Sequence, residues 1–522
     1  MKKGKYTLFW GMIVVLGFSS CQNDLLNEEP KHLYTADRLY TSLEGYENGL
    51  NGLYAEVRKE FEGMNYTTNF GTVDLRNVLF TVGTDNMATG RNKGNVHRML
   101  NSWGVANHPS YKDFDKYFLW FYETINAANA ILDRAPYSDI SWDDGSGNSQ
   151  YYRVMAEAKL FRAWAYRHLS YLWGPVPIVT TESTDAIRTD FVREPVEKVR
   201  RFIIEDLEFA LTRLPDKRAT EAETRGFARK GAVNALFAKV YATKGAPGNV
   251  EWDKVKTYSE AVMNSPVYRL VDTYDHLFDD EHRNNSETIL AVQYIANSTE
   301  NNYVPVLLLP PSMTDQNWRK YLTPSQDLLK AFDDEGDQVR KNSTVIFEDI
   351  NNIWFDQYYA QSKNGQWETR TLPFPYKCRA KNRVGWDCGD LIYIFRLADI
   401  VLLHAEAVNA LSGPATAIAE PNLQKIRTRV GLQELNTGSK EELTRLLLKE
   451  RRLELAYEGE RFFDLKRYGI AQSTLSSLTW SEIVDGEQTT VTGKFPAHML
   501  LMPIPQEERD RNPNLTQNPG YN

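Results

Sequence analysis

One run of the chain restricts the fold more than any other. From Tyr152 to Trp173 (YRVMAEAKLFRAWAYRHLSYLW) the small residues Ala156, Ala163 and Ala165 stand among large apolar and aromatic ones, and the run stops at Gly174-Pro175-Val176-Pro177. Such a stretch predicts a helix whose small positions let neighbours approach closely, ended by prolines that cannot continue it. Beyond the break, Pro195 to Leu214 places Val196, Val199, Ile203, Leu207, Ala210 and Leu214 at three- and four-residue steps. That is the apolar stripe of an amphipathic helix, opened by Pro195 and closed by Pro215.

The same order returns twice. Gly226 to Lys244 (GFARKGAVNALFAKVYATK) precedes Trp252 to Asn264, and Leu397 to Leu411 (LADIVLLHAEAVNAL) precedes Glu420 to Val430. An earlier pair is read in Ala36 to Phe61 and Phe114 to Arg134. Small residues on one helix and large ones on the next suit close-packed antiparallel pairs, as in tetratricopeptide units. The intervals between the pairs are unequal, which excludes a tandem array with a period of about 34 residues and requires long insertions. Within them Thr288 to Tyr294 (TILAVQY) reads as a short strand. Asn301 to Trp367, with Pro305, Pro310, Pro311, Pro324 and many aromatics, reads as irregular.

The N-terminus carries an address. Lys2, Lys3 and Lys5 precede the apolar run Tyr6 to Phe18 and the small pair Ser19-Ser20, the order of a secretory signal. The run is shorter than the roughly 20 residues of a spanning helix. Ser19-Ser20 stands directly before Cys21, which resembles a bacterial lipobox, so Cys21 is the expected lipidation site. Acyl chains contribute about 0.8 kcal/mol per buried methylene, enough in combination to anchor the mature protein to a membrane. Residues 1–20 are then a lipoprotein signal peptide and 21–35 a polar, lipidated tether. The other cysteines, Cys378 and Cys388, are too few for a disulfide framework or a zinc set. In an oxidising compartment they could form one local disulfide around Arg379 to Asp387, or remain thiols.

Several functions are excluded. The net charge of −8, with no long basic run, argues against nucleic acid as a partner. There is no Gly-x-Ser-x-Gly, His-Glu-x-x-His, Cys-x-x-Cys or phosphate-binding Gly-x4-Gly-Lys-Ser/Thr. His404 sits within an apolar helix and reads as a core residue. Asp139 to Gln150 has the outline of a calcium loop, but Asp144 stands where the glycine belongs and Gln150 where the bidentate glutamate belongs. No cofactor is expected; a structural calcium ion elsewhere is left open, with no ligands assigned.

Five segments carry a resemblance: AEAKLFRAWAYRHLSYLWGPVPIV (156–179), LFDDEHRNNSETILAVQY (277–294), RLADIVLLHAEAVNA (396–410), ERRLELAYEGERFFDLKRYG (450–469) and PIPQEERDRNPNLTQNPGY (503–521). In this order, behind a lipobox, they identify the chain as resembling the SusD/RagB family of outer-membrane nutrient-binding lipoproteins of Bacteroidetes. The resemblance implies a mainly α fold, in which tetratricopeptide-like helix pairs form a superhelical scaffold with a loop-rich second half and few short strands. It divides the mature chain into an N-terminal helical region, 36–275, and an interlocked C-terminal region, 276–522, with the aromatic insertion and one helix pair. It implies a non-catalytic surface protein that captures an oligosaccharide, or in some members a peptide, as the lid of a SusC-like TonB-dependent transporter. A surface glycoside hydrolase on a helical scaffold is the rival, since such an enzyme needs only two suitably spaced carboxylates.

A sugar ring offers an apolar face and a hydroxyl edge, so a glycan site needs flat aromatics beside Asn, Asp and Arg. Two regions supply both. Thr84 to Trp103 contains Asp85, Arg91, Asn101 and Trp103, and the resemblance implies an acid, an arginine and a tryptophan from such a segment in the site. The insertion supplies Tyr303, Trp318 and Trp354, with Tyr321, Tyr358, Tyr359 and Trp367 nearby. Glu450, Arg451, Arg452, Glu454, Glu458 and Arg461 are spaced to pair along one helix at about 0.2–0.5 kcal/mol per exposed pair, and to fix that helix against the loop-rich half. Pro503 to Tyr521 reads as an extended surface strap.

Overall fold

A computed structural model describes residues 36–59, 83–89, 112–145, 149–183, 189–218, 220, 226–243, 250–298, 300–302, 304–314, 322–350, 370–385, 387–484 and 487–521. In chain order the longer helices of the first half are α1 (Leu43–Lys59), α2 (Lys112–Arg134), α3 (Tyr151–Trp173), α4 (Val196–Leu211), α5 (Lys230–Ala242) and α6 (Trp252–Met263). The second half has α7 (Gln326–Glu335), α8 (Gln338–Thr344), α9 (Leu397–Ser412), α10 (Pro421–Thr428), α11 (Lys440–Glu454), α12 (Arg461–Arg467) and α13 (Ala471–Ser477). Among the described residues, strands β1 (Met87–Thr89), β2 (Thr288–Val292), β3 (Leu322–Pro324), β4 (Val345–Ile350), β5 (Arg370–Pro375), β6 (Ile392–Arg396), β7 (Thr479–Val484) and β8 (Glu487–Thr492) pair two by two. The fold is therefore mainly helical with few short strands, as expected.

The helices pack in the order the small residues dictate. α3 lies between α2 and α4, α5 packs on α6, α6 on α9, and α9 on α10 and α11. Ala156, Ala158, Ala163 and Ala165 of α3 are all fully enclosed, so the backbones on either side come close without displacing larger side chains. α3 ends at Gly174, whose φ of 76° only glycine adopts without strain and whose N–H bonds back to the Ser170 carbonyl. A Cβ at Gly174 would also lie 3.1 Å from Leu501, so the same residue admits the C-terminal segment. One continuous apolar core runs from Tyr46 in α1 to Leu515 near the C-terminus.

The strands tie the halves together. β2 runs antiparallel to β6, register Thr288↔Arg396, and β6 passes directly into α9. β1 pairs with β3 through Met87↔Pro324, Ala88↔Thr323 and Thr89↔Leu322, joining two stretches far apart in sequence. The insertion expected to be irregular differs: residues 326–344 form α7 and α8. Ser325 Oγ accepts from the Leu328 N–H and Asp337 Oδ1 from the Arg340 N–H, two N-caps separated by Gly336 in the left-handed region. Leu328 and Phe332 then bury one face of α7 against Leu453 and Ala456.

The tail from Pro503 does act as a strap, with one short helical segment, Gln506–Arg511. Asn518 Nδ2 donates to the carbonyls of Trp173 (2.9 Å) and Met502 (2.7 Å), and Trp173 Nε1 donates to Pro503 O at 3.1 Å. The strap thereby closes over the proline break after α3.

Candidate functional site

The two sequence regions proposed for ligand contact meet at the β1–β3 ladder. β1 ends at Thr89 opposite Leu322, where β3 begins, so the chain leaves towards residue 90 and arrives from residue 321 at the same end of the ladder. β5 lies beside β3, with Thr323 Oγ1 donating to Pro373 O at 3.4 Å. β4 and β5 form a hairpin whose last described pair, Ile350↔Arg370, flanks residues 351–369. Cys21, Arg91, Asn101, Trp103, Tyr303, Trp318 and Trp354 lie outside the residues whose side chains are described.

Asp85 is described, and it sits in a structural ion pair. It is only 3% exposed. Arg461 Nε donates to Oδ1 at 2.7 Å while Nη2 holds Oδ2, and Arg452 Nε stands 3.3 Å from Oδ2. Its carbonyl accepts from Ser325 Oγ at 2.6 Å and from Arg452. Burial pushes the Asp85 carboxyl up, but Arg461 and Arg452 outweigh it and hold it at about 2. Asp85 therefore serves as the bolt beneath the ladder, with both carboxylate oxygens engaged by protein. Its neighbour Asn86 accepts from Arg452 Nε at 2.9 Å.

Behind that bolt, the buried charges of α11 pair with other elements, while the exposed Arg445 and Glu442 pair along the helix itself. Glu454 Oε1 accepts from Arg396 Nη1 at 2.7 Å and Arg429 Nη2 at 2.6 Å, while Arg340 Nη1 reaches Oε2 at 3.1 Å. Burial opposes the charge on Glu454, yet Arg429, Arg396 and Arg340 together hold its carboxyl well below the usual range. Glu450 bridges Arg340 and Arg427, both at 2.6 Å. Arg451 turns the other way, to Asp399 at 2.8 Å and Asp464 at 3.0 Å, and Lys239 of α5 joins Asp399 at 2.5 Å. These pairs are buried, so each is far more consequential than a surface pair once broken. Their joint effect is to lock the helical scaffold to the elements carrying the ladder, the preorganisation a binding site on loops requires.

Other sequence expectations fall as follows. Cys378 and Cys388 are not bridged. Cys388 packs with Val306, Leu309 and Ala380, and its backbone pairs with Asn302, which commits that thiol to a small apolar cluster. His404 is buried beside Ser259, Nδ1 to Oγ 3.2 Å, and burial lowers its pKa, as befits a core position. In the acidic loop, Asp143 Oδ1 accepts from the Gly145 N–H and Gln150 donates to Asp144. Among the described residues no group of three or more His, Cys, Asp or Glu is placed to hold a metal ion. None of their helices is long and apolar enough to cross a membrane.

A cleft of about 850 Å³ opens between α2, residues 177–183, Phe191 and the strap, within the ordinary size range of ligand sites. Among the described residues that line it, Asp85 is absent. Phe118 is buried there, and the half-buried Tyr122 donates its hydroxyl to Pro177 O.

Two family profiles match the chain. That of the SusD family covers residues 335–521, and one described as starch-binding associating with outer membrane covers residues 60–242. The chain is similar to SusD-like protein P2 of Formosa agariphila, 25% identical with 100% of both chains covered. It is similar to the starch-binding protein SusD of Bacteroides thetaiotaomicron, 24% identical over 72% of this chain and 74% of that one. A solved laminarin-binding SusD-like protein superposes with a TM-score of 0.70 at 25% identity, covering 91% of this chain and 99% of the other.

Proposed function

The chain belongs to the SusD/RagB family, and from that premise we propose that it captures an oligosaccharide at the cell surface and delivers it to a SusC-like TonB-dependent transporter as its lid. It is a binding protein and non-catalytic, as the family is. In this reading Cys21 carries the lipid that holds the mature chain to the outer membrane, facing the exterior. Regions 36–275 and 276–522 act as one interlocked body, with its helical repeat side towards the transporter.

The observation that carries the glycan reading is the likeness, over nearly the whole chain, to a laminarin-binding relative. The ligand site is assigned to the end of the β1–β3 ladder, with Trp103, Trp318, Trp354 and Tyr303 as ring platforms and Arg91 and Asn101 as polar contacts. The pairing Met87↔Pro324 supports this, because it brings the ends of both candidate segments together. The test is a combined glycan and peptide array probed with the mature protein, followed by calorimetry. Saturable binding of one glycan class is expected; binding confined to peptides would replace the sugar with a peptide, and no binding on either would remove the receptor role.

A further inference from the structure

A second cavity lies in the helical scaffold, apart from the β1–β3 ladder. It has a volume of about 190 Å³ and is walled by the last turn of α3, the break at Gly174-Pro175, α4, the end of α5, Lys466 of α12 and Leu501. At roughly 30 Å³ per water, that is room for about six waters, more than one small ion needs.

The charged lining is of one sign. Arg167, Arg200 and Lys466 all face the cavity, and no Asp or Glu is among the described residues that line it. Arg200 is held from outside the cavity, its Nη2 donating to Glu251 at 2.7 Å and its guanidinium lying 4.8 Å from the Tyr241 ring centre. That grip leaves Arg200 Nε buried with no hydrogen-bond partner. The Arg167 guanidinium lies 5.2 Å from the Phe463 ring centre. Lys466 donates to the Tyr171 carbonyl, and its Nζ stands 4.3 Å from the Tyr171 ring centre. No carboxylate of the described residues lies within ion-pair distance of it, and burial alone draws the amine down to about 7.

Three cations around one cavity repel one another, even with Arg200 paired to Glu251, and a buried ammonium without a counter-ion is costly. An anion placed among them offsets both penalties and supplies the acceptor that Arg200 Nε and the remaining Lys466 N–H groups lack. Guanidinium and ammonium groups together are the donors that recognise oxyanions.

We propose that this cavity is an oxyanion site, in which Lys466, Arg200 and Arg167 together hold one phosphate, sulfate or carboxylate group. The site is independent of the glycan reading, since it shares no residue with the ladder. The oxyanion comes either as a free inorganic ion or as the carboxylate of a small organic acid.

The test is calorimetry of the mature protein with inorganic phosphate, sulfate and acetate, at constant ionic strength in chloride. Binding of at least one of them at one site per chain is expected. A response to phosphate or sulfate without acetate identifies a tetrahedral ion, and a response to acetate identifies a carboxylate. Lys466→Met and Arg200→Gln should each weaken binding about 10-fold or more, as loss of a charged hydrogen bond does. Lys198→Met, on the exposed side of α4, should leave it unchanged. If Lys466→Met does not fold, Arg200→Gln decides alone. Absence of binding to all three ions, or equal binding by the wild type and Arg200→Gln, would overturn the proposal.

Discussion

Arg461 grips Asp85 across 376 residues of sequence, its Nε 2.7 Å from Oδ1, and so joins α12 to the turn that leads into the first strand of the ladder. Asp85→Asn leaves Arg461 and Arg452 with a neutral partner in a buried place, where breaking an ion pair costs about 3–5 kcal/mol. Urea unfolding should report a loss of that order, while the folded variant keeps its ligand affinity within about 3-fold, a change of under ~1 kcal/mol. The pH dependence has a definite sign. The folded carboxyl stands at about 2, below its ordinary 3.8, so the unfolded chain takes up the proton first. This contribution, about 2 kcal/mol, is fully present above the ordinary value and is lost as pH falls through 3.8 towards 2. A loss of affinity with unchanged stability would instead make Asp85 a ligand contact.

Glu454 accepts from three arginines that arrive from three different elements. Glu454→Gln keeps the shape of the side chain but removes the charge that compensates them. We expect the most damaging single neutral-for-charged exchange on α11, at least about 3 kcal/mol in chemical denaturation. The exposed pair Arg445–Glu442 on the same helix serves as the contrast, and Glu442→Gln should leave the denaturation midpoint nearly unchanged.

Asn518 uses both ends of its amide, donating to Trp173 O and Met502 O and accepting from Arg193. Asn518→Ala strands the Met502 carbonyl and takes one partner each from the Trp173 carbonyl and the Arg193 guanidinium, which keep each other. A loss of about 2–3 kcal/mol in unfolding free energy follows if these groups find no other partner. A loss below about 0.5 kcal/mol, the scale of an ordinary surface substitution, would mean the strap is held by its apolar contacts instead.

Asp390 behaves in the opposite sense to Asp85. Burial, and then the nearby Asp280, raise its carboxyl to about 6, although the N–H groups of Arg379 and Ala380 donate to it at 2.7 and 3.1 Å. The native state therefore holds a proton that the unfolded chain releases, and stability falls as pH rises from the ordinary 3.8 through 6. Asp390→Asn can still accept both N–H groups through Oδ1 without the buried charge. It should gain about 1–3 kcal/mol at pH 7.5, and show no gain at pH 4. Destabilisation at the higher pH would show that the ionised form is the one the fold requires.

The helical scaffold is legible because its signals are local. The alanine run of α3 and the Gly-Pro break appear within a few residues of each other, and the boundaries of α3, α4 and α6 fall within three residues of those read from periodicity. The Ser325 and Asp337 caps are equally local, but prolines and aromatics on either side of them dominate the composition of that stretch and hide two helices. What the sequence conceals is long range. Nothing in ERRLELAYEGER says that Glu454 meets Arg340, Arg396 and Arg429; only the density of charge among the buried leucines Leu443, Leu447 and Leu453 hints that the pairs are interior. The ladder has the same character, since three-residue strands such as β1 and β3 carry too few positions for an alternation to show. Asp85 illustrates the consequence: by residue type it suits a ligand contact, and only its distant partners assign it to the framework.

The ring platforms provide the sharpest separation between framework and ligand contact. Trp103 belongs to the segment that follows β1 in sequence, and Trp354 to the stretch between β4 and β5, so the two candidate platforms come from different parts of the chain. A tryptophan that stacks on a sugar face contributes area with little conformational cost, and truncating such an anchor typically costs 2 kcal/mol or more, roughly 30-fold in affinity. Trp103→Ala and Trp354→Ala should each lose about that much for the glycan found on the array. Their melting temperatures should stay close to the wild type, because a ring that meets ligand is not spent on the core. Calorimetry and thermal unfolding on the same preparations decide the matter. Unchanged affinity in both variants rejects the ring assignment, whereas a large fall in melting temperature would return these tryptophans to packing, as the structure has already done for Asp85.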